Sequence, residues 1–241
     1  MKTIVFQVKV GNASGYVYND SEALDLFDEY LVPTVKRYCE KNGYDYLKID
    51  KYPEGHNCRW FNYNTKSEDY DYSKGGKNKS ATLVRYLSMN LDYDRIVSLD
   101  NDIWIPKHAE PLPEVFGHCA VQDRGKSWET FRKQTKLPND IFVNGGVQMV
   151  NRKAGQSLYR YIADICKNQT PPINGYHSDQ SYMNYWRSQN KSLSFVLPEK
   201  WNYMVGCRKR LENYTGINFV HYAGDATRKL LKEDLEKGII E

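Results

Sequence analysis

The stretch "RIVSLDNDIWI", residues 95–105, is an apolar strand pattern that runs straight into two carboxylates. Ile96, Val97 and Leu99 belong in a sheet interior, whereas Asp100 and Asp102 are costly to bury without a partner. Two aspartates at i and i+2 of an extended chain point to the same side, so with the chain turning away after Ile105 both can reach one hard cation. Taken alone, the pair also reads as a solvated turn closing a strand, because Asp and Asn favour turns. The choice between the two rests on what surrounds it.

Immediately upstream, "KSATLVRYLSMNLDY" (79–93) places Leu83, Tyr86, Leu87 and Leu91 near helical spacing and feeds directly into the strand. Earlier still, "TIVFQVKV" (3–10) predicts a first strand. "SEALDLFDEYLVPTVKRYCEKNGY" (21–44) predicts an amphipathic helix, started by Ser21 and stopped by Gly43, and "DYLKID" (45–50) a second strand. Strand, helix and strand at this spacing form a βαβ unit, which implies a parallel sheet covered by helices. The carboxylates then lie at the C-terminal edge of that sheet, where open α/β folds bind ligands.

Downstream, "HCAVQDR" (118–124) reads as a strand, "IFVNGGVQMVNR" (141–152) as a strand broken by its Gly pair, and "AGQSLYRYIADIC" (154–166) as a helix. "SDQSYMNYWRSQ" (178–189) reads as another helix, and "LSFVLPEKWNYM" (193–204) and "INFVHYAGD" (217–225) supply late strands. Between Pro53 and Lys77 the pattern has neither period and is rich in polar, aromatic and Gly residues. So long a loop is a lid, a binding segment or a polar insertion, and Trp60, Phe61, Tyr63, Tyr70 and Tyr72 can stack on sugar faces. No repeat, low-complexity tract or linker divides the chain.

Whole-chain properties narrow the classes. The 241 residues, 40% hydrophobic, suffice for one large α/β domain. Twenty Tyr against eight Phe suit half-wet grooves. The net charge of +4 is scattered among acidic residues, which argues against a nucleic-acid partner. Five cysteines in no metal-finger or C-x-x-C spacing read as free thiols of a reducing compartment. No signal-peptide pattern and no apolar run of membrane length occurs, so a cytoplasmic location with no transmembrane segment is expected.

With "LDNDIWI" at a strand end, "VNGGVQMVNR" after it, "SDQSYMNYW" opening a helix and "FVHYAGD" closing the last strand, the chain resembles GT-A-fold glycosyltransferases, particularly glycosyltransferase family 8. The resemblance runs in order from the first strand to about Asp225. It implies one α/β domain with a Rossmann-like, mostly parallel central sheet and helices on both faces, its residues 1–105 holding the nucleotide sugar and 106–241 the donor sugar and acceptor. It implies Mn2+, or Mg2+, held by Asp100, Asp102 and His221, a nucleotide-sugar donor of the UDP-sugar type, and a glycan or other hydroxyl acceptor. A dication stabilises the charge that builds on a departing nucleoside diphosphate.

By the same resemblance Asn144, Gly145 and Gly146 lie under the donor sugar, where missing side chains permit close approach; the Gly pair also reads as a β-bulge. Asp179 and Gln180 are implied at the reaction centre, although Asp179 also suits a helix N-cap. Asn101, Lys79 (or Lys77) and Gly224 complete the donor contacts, while the basic Arg228 and Lys229 come later than the family's diphosphate lysine. Base and ribose contacts fall among Gln7, Val8, Lys9 and Asn12. Retention of anomeric configuration is implied, with Asp179 as the one candidate base for inversion. By itself His221 reads first as a hydrogen-bonded histidine at a strand end, and the Asp-x-Asp pair turns that reading toward a ligand. Two other readings stay open: a nucleotidyltransferase acting on sugar phosphates, which the lack of a basic Gly-rich loop after the first strand disfavours, and a non-catalytic carbohydrate-binding protein.

Overall fold

The computed structural model describes residues 1–9, 25–51, 81–123, 142–168, 179–208, 211–223 and 225–240. Nine strands lie among them: β1 (Thr3–Val8), β2 (Asp45–Ile49), β3 (Arg95–Leu99), β4 (Ile103–Trp104), β5 (His118–Gln122), β6 (Val143–Asn151), β7 (Ser194–Leu197), β8 (Tyr203–Met204) and β9 (Val220–His221). Five α-helices accompany them: α1 (Val32–Asn42), α2 (Ala81–Leu87), α3 (Arg152–Asn168), α4 (Asp179–Gln189) and α5 (Asp225–Glu236). A six-stranded sheet runs β2-β1-β3-β6-β5-β7, and β4-β9-β8 form a second, small sheet. Only β6 opposes its neighbours in the large sheet, so the expectation of a mostly parallel α/β sheet holds.

Alternation along the strands builds the two covered faces. Ile4, Phe6 and Ile96 face a layer containing Leu83, Tyr86, Leu158, Ile162 and Trp186 of α2, α3 and α4. Val5, Val97 and Leu99 face Val35, Tyr38, Trp201 and Phe219 on the other side. All of β3 is buried, as expected for a central strand of a doubly covered sheet. A third cluster, with Trp104, Tyr203, Tyr214, Tyr222 and Leu231, packs α5 under the small sheet. Asp234 anchors it by accepting from the hydroxyls of Tyr214 (2.9 Å) and Tyr222 (2.7 Å).

Several local expectations change. Helix α1 does stop at Gly43, whose φ of 66° is left-handed and whose N–H reaches the carbonyls of Cys39 and Glu40. It is preceded, however, by a π-helical turn over Phe27–Leu31. The Gly pair does not break β6, which is continuous; instead its register with β5 shifts between Ala120 and Gln122, a bulge opposite residues 144–147. The late apolar stretches yield only short strands, because Pro198 and the 3-10 turn Glu199–Trp201 divide the first. Helix α5, made of apolar residues at helical spacing after Asp225, was not among the expected elements. The expected start of the first helix at Ser21, the end of the first strand at Val10 and the long loop Pro53–Lys77 lie outside the described residues. No helix among the described residues is long and apolar enough to cross a membrane. Cys39, Cys119 and Cys207 are free thiols.

His118 opens β5 fully buried. Burial, and next the charge of Arg187, push its pKa down to about 3, so it folds as the neutral imidazole. Because the folded value is depressed, its contribution is complete above pH 6.5 and is lost as pH falls from there toward 3, by about 1.4 kcal/mol per pH unit. Urea unfolding at pH 7 and pH 4.5 should therefore show a smaller acid loss in His118→Gln than in the unaltered chain. Equal losses would trace the acid sensitivity to other groups.

Candidate metal centre and donor site

The strand "RIVSL" ends at Leu99, and the chain turns at Asn101 and Asp102 before entering β4 in the second sheet. The two carboxylates therefore converge by way of a turn, not by the side-to-side period of one extended strand. Four neighbours pin this turn. Asp100 donates its N–H to the Gly146 carbonyl (2.8 Å), and its own carbonyl accepts from Gln7 Nε2 (3.0 Å). Asn101 Nδ2 donates to the Val8 carbonyl (2.9 Å), and the Asp102 carbonyl accepts from the Tyr222 N–H (3.0 Å).

The antiparallel pairing of β4 with β9 sets Ile103 opposite His221. This carries the imidazole to the carboxylates: His221 Nε2 is 3.2 Å from Asp102 Oδ1 and 3.6 Å from Asp100 Oδ2. One ligand atom from each of the three residues falls within 4.8 Å of the others. Asp102 Oδ1 is buried and receives no well-directed hydrogen bond among the described residues. A buried carboxylate oxygen in that state is what a cation would satisfy. Two hard oxygens and an imidazole nitrogen fit Mn2+ or Mg2+, with the imidazole favouring the later metal.

The charges around the centre are coupled. Burial would raise the Asp100 pKa, but the guanidinium of Arg85, paired with Oδ1, and then His221 outweigh it and hold Asp100 below the usual carboxylate range. Burial likewise opposes protonation of His221, yet Asp102 and then Asp100 outweigh that and raise its pKa. On the other side of the ring, His221 Nδ1 lies 2.9 Å from Asn202 Oδ1. An amide oxygen can only accept, so Nδ1 carries a proton and Nε2 is the atom left to face a metal. Asn202 is itself fixed, donating through Nδ2 to Asn144 Oδ1 at 2.9 Å. Replacing Asn202 with Leu should weaken Mn2+ binding about 10- to 100-fold, as for other groups that orient a ligand histidine. Calorimetry with Mn2+ alone checks this, and unchanged affinity would mean that packing alone sets the ring.

The start of β6 forms the floor of the centre. A methyl group on Gly146 would sit 2.1 Å from His221 Cε1 and 2.6 Å from Nδ1, so the ring occupies the space where a side chain would be. Gly145 has ordinary clearance among the described residues, with Arg85 the nearest of them at 3.5 Å from the equivalent position. Asn144 Oδ1 also accepts from the Gly146 N–H (2.8 Å), closing the bulge on itself. Gln180 Oε1 accepts from the Gly145 N–H (2.9 Å), and its Nε2 donates to Asp123 Oδ2 (2.5 Å).

Of the residues singled out from sequence, the fold thus gathers Asp100, Asp102, His221, Asn144, Gly145, Gly146 and Gln180. Gln7 is placed beneath the site: it is fully buried and joins the Asp100 carbonyl to the Tyr46 hydroxyl (3.0 Å). The amide of Asn101 is likewise turned to the end of β1. Lys79, Lys77, Asn12 and Gly224, and the side chains of Asp179 and Arg228, lie outside the described residues. Arg85, Asn202 and Asp123 were missed. Arg85 and Asn202 had a signal, each being a polar residue inside an apolar run, "LVRYL" and "KWNYM"; Asp123 had none.

The fold is that of GT-A glycosyltransferases. Over 98% of this chain it is similar to all of a solved glycosyltransferase involved in the glycosylation of the major capsid of PBCV-1, with 12% identity and a TM-score of 0.57. It is similar to the bifunctional glycosyltransferase WbbM over 93% of this chain and 46% of that one, with 16% identity and a TM-score of 0.54. All of it matches 65% of the apo glycosyltransferase GlyE of Streptococcus pneumoniae TIGR4, with 13% identity and a TM-score of 0.50. The chain thus spans the first of these completely and less than two thirds of the other two. No protein-family profile and no curated protein matches it.

Proposed function

We propose that this chain is a metal-dependent glycosyltransferase, similar to family 8, that moves a sugar from a UDP-sugar to an acceptor hydroxyl with retention of configuration. The observation that carries the proposal is the convergence of Asp100, Asp102 and His221 at the C-terminal edge of β3, beside the Gly-rich start of β6. In this reading residues 1–105 hold the nucleotide and 106–241 the donor sugar and acceptor. Asp100, Asp102 and His221 hold the cation, and the chemistry a bound Mn2+ or Mg2+ supplies is neutralisation of charge on the departing diphosphate. Arg85, already turned toward Asp100, adds a second, fixed positive charge on the same side. Asn144 and the Gly145–Gly146 backbone lie under the donor sugar. Gln180 serves the reaction centre, its amide oriented by Asp123 and the Gly145 N–H, and Asp179 is assigned to the same centre by resemblance alone. Lys79 and Gly224 are assigned to the diphosphate by resemblance alone.

The test is a thermal-shift and calorimetric screen of UDP and UDP-sugars with and without Mn2+, followed by assay of slow UDP release from the preferred donor. Metal-dependent stabilisation by UDP and release of UDP are expected. Release of pyrophosphate from sugar phosphate and UTP would identify a nucleotidyltransferase instead, and glycan binding without turnover a carbohydrate-binding protein. A product anomer opposite to that of the donor would overturn retention.

A further inference from the structure

Behind the floor of the site runs a series of buried polar groups that do not touch the metal centre. Arg187 of α4 is 1% exposed, and His118 of β5 and Gln148 of β6 are fully buried. Arg187 donates through one terminal nitrogen to His118 Nδ1 (2.7 Å) and to the His118 carbonyl (3.1 Å), and through the other to the Phe195 carbonyl (3.2 Å). A guanidinium has no acceptor, so His118 Nδ1 must be the accepting nitrogen and Nε2 must carry the proton. Nε2 is 3.0 Å from Gln148, which must then present Oε1. That choice turns Gln148 Nε2 to the other side, where it donates to the Gly145 carbonyl (2.9 Å) and the Tyr86 hydroxyl (3.3 Å). The same Gly145 carbonyl accepts from Arg85 (2.5 Å), whose second nitrogen pairs with Asp100.

We propose that Arg187 and His118 are positioning residues: they set the direction of the Gln148 amide, and through it hold the Gly145 peptide and the Arg85–Asp100 pair in register for binding a metal-bound nucleoside diphosphate. The ligand named here rests on the proposed function. The direction of the relay does not, because it follows from donor and acceptor identities alone. If His118 offered acceptors on both sides, Gln148 would reverse, and its oxygen would oppose the Gly145 carbonyl. Two like dipoles at that distance repel, so the peptide and Arg85 would shift away from Asp100.

The polarity can be reversed without emptying the space. His118→Gln keeps an acceptor toward Arg187 and a donor toward Gln148, whereas His118→Glu offers only acceptors while gaining an ion pair with Arg187. Expected are UDP affinity in Mn2+ within about twofold of the parent for His118→Gln and about tenfold weaker for His118→Glu, with the Tm of His118→Glu not below that of His118→Gln. A merely structural role would make affinity follow Tm. Equal affinities in the two variants would overturn the proposal, as would a 15N spectrum of the parent showing the His118 proton on Nδ1. If the parent binds no Mn2+ and UDP, the glycosyltransferase reading fails by itself, and the relay is judged by that spectrum and by whether the Gly145 amide resonance moves in His118→Glu but not in His118→Gln. Should His118→Glu not fold, Gln148→Glu poses the same opposition to the Gly145 carbonyl and must weaken binding for the proposal to stand.

Discussion

Asp102→Ala should abolish Mn2+-dependent binding of UDP and all turnover, with the metal-free protein still folded. The side chain removed carries the buried oxygen that lacks a well-directed donor among the described residues and lies 3.2 Å from His221. Its loss takes away one hard ligand and half of the negative charge that Asp100 and Asp102 bring together. The turn itself does not depend on that side chain, since the Asp102 carbonyl keeps the Tyr222 N–H. Loss of like-charge repulsion also opposes any destabilisation. Asp102→Asn serves as the size control and should bind Mn2+ nearly as poorly. Calorimetry with Mn2+ and UDP, alongside melting in chelator, measures both parts. Parent-like binding by Asp102→Ala would reduce the carboxylate pair to a strand-ending turn.

Gly146→Ala should be nearly as damaging, and Gly145→Ala mild, although the two positions are adjacent and chemically identical. A methyl at 146 meets the His221 ring far inside contact distance, and the obstacle is a buried ring fixed by Asn202. Either the ring or β6 must yield, and overpacking of this kind costs about 1–3 kcal/mol. Because the yielding atoms belong to a metal ligand, Mn2+ affinity should fall by at least the 10- to 100-fold typical of disturbed ligand orientation. Among the described residues a methyl at 145 meets nothing closer than 3.5 Å, and it should change affinity little. Melting curves and Mn2+ titrations of the two variants form a matched pair; a tolerant Gly146→Ala would show that His221 does not pack as described.

The class of fold was legible because alternation on β1 and β3 and helical spacing on α2 and α3 are strong local signals with long-range meaning. The carboxylates and His221 were legible as residue types with a family-like order. What sequence could not convey was how they meet. The turn at Asn101 and Asp102 is set by Gln7, Gly146 and Tyr222, residues brought in by three different strands. Sequence singles out Gly146 for the close approach of a donor sugar, whereas the contact described at that position is with the His221 ring, between strands of different sheets. Helix α5 was overlooked, and the short strands β8 and β9 owe their pairing to tertiary packing more than to local propensity.

The pairing of β4 with β9 also sets a timetable. It joins residues 103 and 104 to residues 221 and 220, whereas β1, β2 and β3 pair within the first hundred positions. Contacts between such distant segments form slowly, because most of the intervening chain must first be ordered. A polypeptide leaving the ribosome therefore exposes its two aspartates long before the imidazole that completes their triad exists. Capture of the cation becomes a late event of maturation, and during refolding the relaxation signal of bound Mn2+ should lag behind the far-UV signal of the sheet. The ion would then act as a latch on a sheet already assembled rather than as a nucleus around which it folds.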